Sequence, residues 1–294
     1  AVGSRAPGAA EAFATEFGIP RAHGSYEQLV ADPEVDVVYI ATPHPFHLET
    51  ALLAIDAGKH VLIEKPLTLN RADAQRIADR AAERGVVAME AMWTRFLPHM
   101  VHLRGLLAAG AIGEVRTVIA DHTQSLPTDP EHRLQNPALG GGALLDLGIY
   151  PVSFAIDVLG IPTSILAHAA TTPTGVDRQT AMLFGYDDGR QAVLQCALDT
   201  AGSNRAVVLG TEGAIELDRV WYTPTALTRY DRAWNVVERF DEHVATRGMH
   251  FQAAELERRV EGRAPASLPL EESVAIMGVL DEVRGLIGLR YPGE

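Results

Sequence analysis

From Val35 to Met89, apolar runs of strand length alternate with helical segments, and this alternation restricts the possible folds more than any other feature of the chain. The run Val35–Thr42 (VDVVYIAT) reads as a strand, residues 47–58 as a helix stopped by Gly58, and Val61–Glu64 as the next strand. Asn70 is placed to cap a further helix over 71–84, closed by Gly85, and the strand Val86–Met89 follows. Upstream, Ala10, Phe13, Ala14 and Phe17 recur at helical spacing before Gly18, and Ser25 precedes a short helix over 26–31. Strands and helices in alternation predict a parallel, doubly wound α/β sheet, whose ligand crevice lies beyond the carboxyl ends of its strands. Glu64-Lys65-Pro66 stands at one such end, with Pro66 fixing the exit of the chain.

The pattern changes after Met92. A helix over 99–109 leads through Gly110 to a strand over 114–124, and the polar stretch 125–139, with Pro127, Pro130 and Pro137, reads as a loop. Residues 140–159 look helical, with Pro151 expected to kink or restart the helix. Between Ser164 and Phe240 come short β-rich runs (165–171, 180–186, 191–198, 205–209, 214–217) separated by turns such as Asp187-Asp188-Gly189. Two helices, over 249–261 and 270–286, close the chain. The expectation is a dinucleotide-binding domain over 1–92 and an α+β substrate-binding and oligomerisation domain over 93–294, the latter with a mostly antiparallel sheet.

Composition excludes several classes. The formal net charge is −13 with no cluster of Lys or Arg, so a nucleic-acid partner is not expected. Cys196 is the only cysteine, which rules out an internal disulfide and suits a reducing cytoplasm. No apolar run reads as a membrane span and no signal peptide is visible, so a membrane partner is not expected either; nor is a metal site.

The candidate chemistry lies in four places. In Gly140-Gly141-Gly142-Ala143-Leu144-Leu145-Asp146-Leu147-Gly148-Ile149-Tyr150, Asp146 and Tyr150 are four apart and share a helix face. The three glycines would let backbone approach a ligand, and free N–H groups at the helix start would favour negative charge. A Tyr hydroxyl beside a Lys makes a workable acid–base pair, the cation lowering the phenol's pKa from its reference of about 10. The others are Glu64-Lys65, the segment Thr42-Pro43-His44-Pro45-Phe46-His47, and Trp93-Thr94-Arg95-Phe96. Each also admits a structural role. Asp146 can be a solvated helix residue, Tyr150 a core–surface amphiphile and Lys65 an exposed strand end; His47 can pack at a helix start, and Trp93 and Arg95 can form a hinge.

Taken together, ATPHPFH, AGKHVLIEKP and GGGALLDLGIY, in this order, resemble the Gfo/Idh/MocA oxidoreductases over essentially the whole chain. EAMWTRFLP with GGGALLDLGIYP is most similar to the branch containing dimeric dihydrodiol dehydrogenase and NADP-dependent D-xylose dehydrogenases. The resemblance implies hydride transfer between a nicotinamide dinucleotide and a secondary alcohol or hemiacetal of a sugar, polyol or dihydrodiol. It implies Lys65 beside the nicotinamide and the reacting hydroxyl, Tyr150 transferring the proton, and Asp146 bonding substrate hydroxyls or orienting Lys65. Thr42, Pro43, His47 and Glu64, with Pro66, would line the cofactor side. Trp93 and Arg95 would line the cleft, and Arg133 and Asn136 would help choose the substrate.

A Gly-rich turn of the G-x-G-x-x-G type is expected of such a domain and follows no early strand here. The chain is therefore expected to lack a first βα unit, and with it part of the cofactor cradle. Gly3-Ser4-Arg5, an Arg without an acid after the first short strand, favours NADP(H) over NAD(H). A sheet with helices on one face predicts a homodimer or homotetramer formed through its other face. Two further readings remain open on the same fold: a cofactor- or sugar-sensing regulator without turnover, and an NAD-dependent glycoside-cleaving enzyme.

Overall fold

The computed structural model describes residues 1–263 and 267–293. The first segment contains β1 (Val2–Gly3), α1 (Pro7–Phe17), β2 (Ala22–His23), α2 (Tyr26–Val30), β3 (Val37–Ile40), α3 (His47–Asp56), β4 (His60–Glu64), α4 (Arg71–Arg84) and β5 (Ala88–Ala91). All its strand pairs are parallel. They form two sheets, β1-β2 and β3-β4-β5, where the sequence predicts one. A groove of about 730 Å³, lined by Val2, Gly3, Phe13, Leu29, Val38 and Ile40, lies between β1 and β3. The helix boundaries follow local chemistry. Ser25 and Asn70 cap α2 and α4 by accepting from Gln28 N and Asp73 N, and Gly85 ends α4 at φ +65°.

The second segment begins with α5 (Pro98–Ala108) and β6 (Val115–Thr123). The stretch 125–139 has no strand but holds two 3₁₀ turns, Arg133–Gln135 and Pro137–Leu139. A π-helical turn, Leu144–Gly148, then runs directly into α6 (Ile149–Leu159). The wide turn ends at Gly148, three residues before Pro151, so the helix restarts where the proline would otherwise break an i→i−4 bond. The segment Pro137–Leu159 is long and apolar enough by composition to cross a membrane, contrary to the sequence reading, but 89% of its most apolar 18-residue stretch is buried inside the protein. It is the core helix of this domain.

Seven more strands follow: β7 (Ser164–Thr171), β8 (Asp177–Gly185), β9 (Gln191–Ala197), β10 (Ala206–Gly210), β11 (Gly213–Leu217), β12 (Leu227–Asp231) and β13 (Val236–Phe240). With β6 they form one sheet ordered β13-β12-β11-β10-β6-β9-β8-β7, antiparallel except for the parallel pair β6–β9. The last two strands are absent from the sequence-based strand list, being short and polar. α6 packs on one face of this sheet, against β6 and β9. On the other face a single register row runs Leu166–Leu183–Val193–Ile119 across four strands, each residue exposed.

The closing helices α7 (His250–Val260) and α8 (Leu270–Ile287) reach back to the first segment. α7 lies against β4, and α8 lies against α4 and β5, where Asp281 accepts from Arg71 N at 2.8 Å. The parallel strands are thus held against the larger sheet by helices from the far end of the chain.

Candidate active site

Parallel pairing sets Ile63 opposite Ile40 and Glu90, so β3 and β4 end together and deliver Thr42 and Lys65 to one edge. The Lys65–Pro66 peptide is cis. The turn after β4 is pinned at three points. Lys65 N donates to Glu64 Oε2 (3.2 Å), Pro66 O lies 3.0 Å from His47 Nδ1, and Leu67 N donates to Glu90 Oε1 (2.9 Å).

Across the cleft, the helix beginning at Ala143 supplies Asp146 and Tyr150. Lys65 Nζ donates to Asp146 O (2.7 Å) and Oδ1 (3.3 Å) and lies 5.1 Å from the centre of the Tyr150 ring. The ammonium therefore meets Tyr150 as a cation over a ring, not at its hydroxyl. That hydroxyl accepts from Trp93 Nε1 at 2.9 Å, which leaves the phenolic proton free to be donated elsewhere.

Electrostatics correct one expectation. Burial raises the Tyr150 phenol above its usual range and outweighs the lowering effect of Lys65, so the phenol is protonated at neutral pH. Burial pulls Lys65 down, but Asp146, Tyr150 and Glu64 together outweigh it and hold the ammonium charged. Burial pushes Asp146 up, yet Lys65 and then Arg133 bring its carboxyl to about 2. The triad at neutral pH is thus an ammonium, a carboxylate and a neutral phenol.

The glycine run is enclosed by protein atoms. A Cβ on Gly141 would sit 2.6 Å from Leu134 O, one on Gly142 2.2 Å from Asp177 Oδ1, and one on Gly140 2.7 Å from Leu69 Cδ2. Protein, not substrate, needs that space. Nor is the helix start free to bind an anion, because Asp177 Oδ2 accepts from Leu144 N (2.8 Å) and from Thr180 Oγ1 (2.8 Å). Burial drives the Asp177 carboxyl up to about 7 against those hydrogen bonds.

Other expected site residues fall into groups. Arg133 joins the cluster, its Nη1 3.3 Å from Asp146 Oδ1. Trp93 joins it through Tyr150. Arg95 does not: only 2% exposed, its guanidinium is committed to Glu272, to Asp157 (3.4 Å) and to Ser153 O (2.8 Å). It is a buried ionic tie between helices, and the expectation that it lines the cleft is corrected. Asn136 turns its Oδ1 to Ala138 N (2.9 Å) and caps a 3₁₀ turn. His47 is fully buried, its Nε2 2.8 Å from Thr42 O, so it ties the loop after β3 to the loop after β4. Burial lowers its pKa against carbonyls that favour the charged ring.

Glu64 faces outward, accepting a short hydrogen bond from the Tyr39 hydroxyl. Pro43 precedes the turn His44–Phe46, and Thr42 Oγ1 is buried without a hydrogen-bond partner. Ser4 Oγ accepts from Ala6 N (3.3 Å), and the Arg5 guanidinium lies 4.8 Å over the Phe46 ring.

Four site residues escape sequence reading. His44, beside His47, sends Nδ1 to Gly140 O (3.3 Å), and burial followed by the Lys65 charge lowers its pKa to about 3. His122 stacks on Tyr222 (3.6 Å between ring centres) and meets Tyr150 edge-on at 4.8 Å. Arg247 lies 5.5 Å over the Trp93 ring. Only His44 carried a signal, its place in ATPHPFH; the other three come from strands and loops with no motif.

A bound nicotinamide dinucleotide has features to meet here: the unpartnered Thr42 hydroxyl at the end of β3, and the one Lys65 N–H that Asp146 does not occupy. The residues present fit such a group.

Comparison with known proteins gives the same reading. Residues 1–92 match the oxidoreductase family with an NAD-binding Rossmann fold, and residues 100–216 match the GFO/IDH/MocA C-terminal domain. Trans-1,2-dihydrobenzene-1,2-diol dehydrogenase of Mus musculus is 38% identical over 100% of this chain and 90% of its own, and that of Danio rerio 37% identical over 99% and 89%. Among solved structures, an aldose-aldose oxidoreductase from Caulobacter crescentus complexed with glycerol superposes at a TM-score of 0.87, with 28% identity over 97% of this chain and 88% of its own. A 3-ketoreductase from Actinomadura kijaniata with NADP and TDP-benzene superposes at 0.84, also with 28% identity over 97% and 88%.

Proposed function

This chain belongs to the Gfo/Idh/MocA family of NAD(P)-dependent oxidoreductases acting on CH–OH groups, and from that premise we propose that its substrate is a dihydrodiol, sugar or polyol and its cofactor NADP(H). The observation that carries the proposal is the convergence of Lys65, Asp146 and Tyr150 from the two sides of one cleft. The names of the relatives support the substrate class. Arg5 near the first strand, and NADP in the related ketoreductase structure, support the cofactor preference.

The cofactor, when bound, supplies the hydride. The protein's own share is alignment and proton management. Neutral Tyr150, oriented by Trp93, donates its proton to the oxygen of a carbonyl being reduced and takes it back in the oxidative direction. Lys65, held cationic by Asp146, directs its remaining N–H at that developing oxyanion. His122 and Tyr222 pack their rings beside Tyr150, and aromatic surface of this kind suits the apolar face of a ring substrate.

The test is NADPH oxidation against dihydrodiols' ketone products, aldoses and ketoses, with NADH in parallel. Turnover with at least one class and a preference for NADPH is expected. Near-normal turnover in both Lys65→Ala and Tyr150→Phe overturns the residue assignment. The same reading includes a homodimer or homotetramer joined through the row Leu166–Leu183–Val193–Ile119. Light scattering of Leu183→Lys checks that, and an unchanged mass refutes it.

A further inference from the structure

Glu90 lies outside the cleft, on β5, and only 1% of it is exposed. A carboxylate in such a place is costly unless its oxygens are satisfied, yet only Oε1 has a hydrogen-bond partner while Oε2 is buried without one. An apolar residue would pack in a buried strand at lower cost, so the carboxyl needs an explanation. The hydrogen bond from the Leu67 amide gives it. Pro66 has no N–H, so Leu67 N–H is the first amide proton after Lys65, and Glu90 takes it at 2.9 Å. The neighbouring carbonyls of Pro66 and Leu67 are both engaged by His47, at 3.0 and 3.3 Å. Leu67 itself is fully buried. Besides the local bond to Glu64, the turn that aims Lys65 thus has two anchors from other elements, and Glu90 is the one that comes from the neighbouring strand. Burial pushes its carboxyl up to about 7, against the neighbouring Ser273 hydroxyl, then the Leu67 amide and the charges of Arg95 and Lys65.

We propose that Glu90 is a positioning residue for the reaction, fixing Lys65 against Asp146 by holding the Lys65–Leu67 turn through the Leu67 amide. The proposal rests on Lys65 being the reacting lysine.

Two readouts on the full chain separate this from a purely structural role. The first is kinetic. Glu90→Ala is expected to lower kcat about tenfold or more, the scale of a displaced catalytic group, with the Kd for NADPH within about twofold of the parent. Glu90→Gln keeps an acceptor oxygen for Leu67 N–H and is expected to recover kcat to within about threefold of the parent. A Gln variant that loses kcat in a folded protein overturns the proposal, because the charge and not the anchor would then matter. So does an Ala variant with parental kcat. Should Glu90→Ala not fold, Glu90→Gln alone decides.

The second readout needs no turnover. Acylation of Lys65 by an amine-reactive reagent, followed by mass spectrometry in the cofactor-free protein, is expected to be several-fold faster in Glu90→Ala and at the parental rate in Glu90→Gln. Equal rates in all three proteins overturn the proposal even if no substrate is ever found. Conversely, a parent inactive with every substrate but showing the expected labelling pattern indicts the functional reading and leaves Glu90 its place.

Discussion

The two walls of the cleft are built on different principles. The Lys65 wall is the end of a strand: β4 is paired on both sides, and its exit turn is fastened to His47 at the start of α3 and to Glu90 on the neighbouring strand β5. The Tyr150 wall is a helix start fastened from far away in the sequence. Asp177 on β8 takes Leu144 N, the Tyr291 hydroxyl donates to Gly141 O (2.7 Å), and Gly148 leaves room for Cys196 Sγ, which an added Cβ would approach to 2.9 Å. A strand end inherits its position from sheet register, whereas a helix start needs side chains brought to it. The first wall is therefore expected to tolerate changes around it better than the second, while being less tolerant of changes in the reacting lysine itself.

The largest expected effect is on that lysine. Lys65→Met removes both hydrogen bonds to Asp146 and leaves the carboxylate buried at 9% side-chain exposure. A loss of kcat of about 10²–10⁴ is expected, the range for removing a positioned acid–base or electrostatic group, with the protein still folded by circular dichroism. Activity within tenfold of the parent would break the pairing of the two walls as one active site.

Gly142→Ala probes the second wall. The residue has φ +119°, and its new Cβ would stand 2.2 Å from Asp177 Oδ1. Backbone strain plus a clash with a fixed carboxyl costs about 2–4 kcal/mol. Thermal unfolding should fall by several degrees, at roughly 2–4 °C per kcal/mol for a domain of this size. Gly105→Ala, on α5 with nothing within 4 Å of the new Cβ, is the control and should be neutral or slightly stabilising. If both behave alike, the glycine run is not the packing device described above.

This contrast also explains what the sequence could and could not disclose. Lys65, Asp146 and Tyr150 could be picked out because each sits in a short motif at a strand end or a helix start, although the i,i+4 helix pair expected for Asp146 and Tyr150 is in fact interrupted by a π-helical turn that contains Asp146. The alternation of strands and helices was legible for the same reason, with helix ends marked by Asn70, Gly85 and Ser25. Arg95 was misread because its partner Glu272 lies far along the chain on α8, and no local pattern reveals that a guanidinium will be buried. The glycines were misread because a bare backbone near a ligand and a bare backbone near Asp177 look identical in sequence. Glu90 and Asp177 were invisible: a lone acid in an apolar strand carries no motif, and only the fold shows which amide it meets.

Asp177 gives the pH test of the second wall. Its carboxyl has a folded pKa of about 7 against an ordinary 3.8, so between those values the folded state holds a proton that the unfolded chain has released. Its contribution is present below about pH 4 and is lost as pH rises towards 7. Asp146 has the opposite sign: with its carboxyl at about 2, its contribution is present above about pH 4 and lost as pH falls towards 2. Asp177→Asn keeps an acceptor for Leu144 N–H and removes the titration. Its unfolding temperature relative to the parent should therefore rise from pH 5 to pH 7. The groups facing Asp177 are the Thr180 hydroxyl, the amides of Leu144 and Ala143, and the Cys196 thiol, and burial raises that thiol well above its ordinary value, so none titrates in this window. A constant difference across the range would assign the slope to another group.

The smallest effect is expected at Arg133, and it compares two cations on one carboxylate. Lys65 Nζ and Arg133 Nη1 both stand 3.3 Å from Asp146 Oδ1, so distance alone would give them equal weight. Solvent separates them. The Lys65 side chain is 13% exposed and that of Arg133 is 53% exposed, so water and salt screen the arginine far more. Arg133→Met should therefore raise the Asp146 pKa, followed by carboxyl-carbon NMR, by less than about one unit, and Lys65→Met should raise it by more. High salt should narrow the Arg133 effect and leave the Lys65 effect nearly intact. If kcat in Arg133→Met nevertheless falls as steeply as in Lys65→Met, Arg133 acts on the reacting atoms and not merely on the substrate's approach. The cleft would then have a third wall, contributed by the 3₁₀ turn Arg133–Gln135.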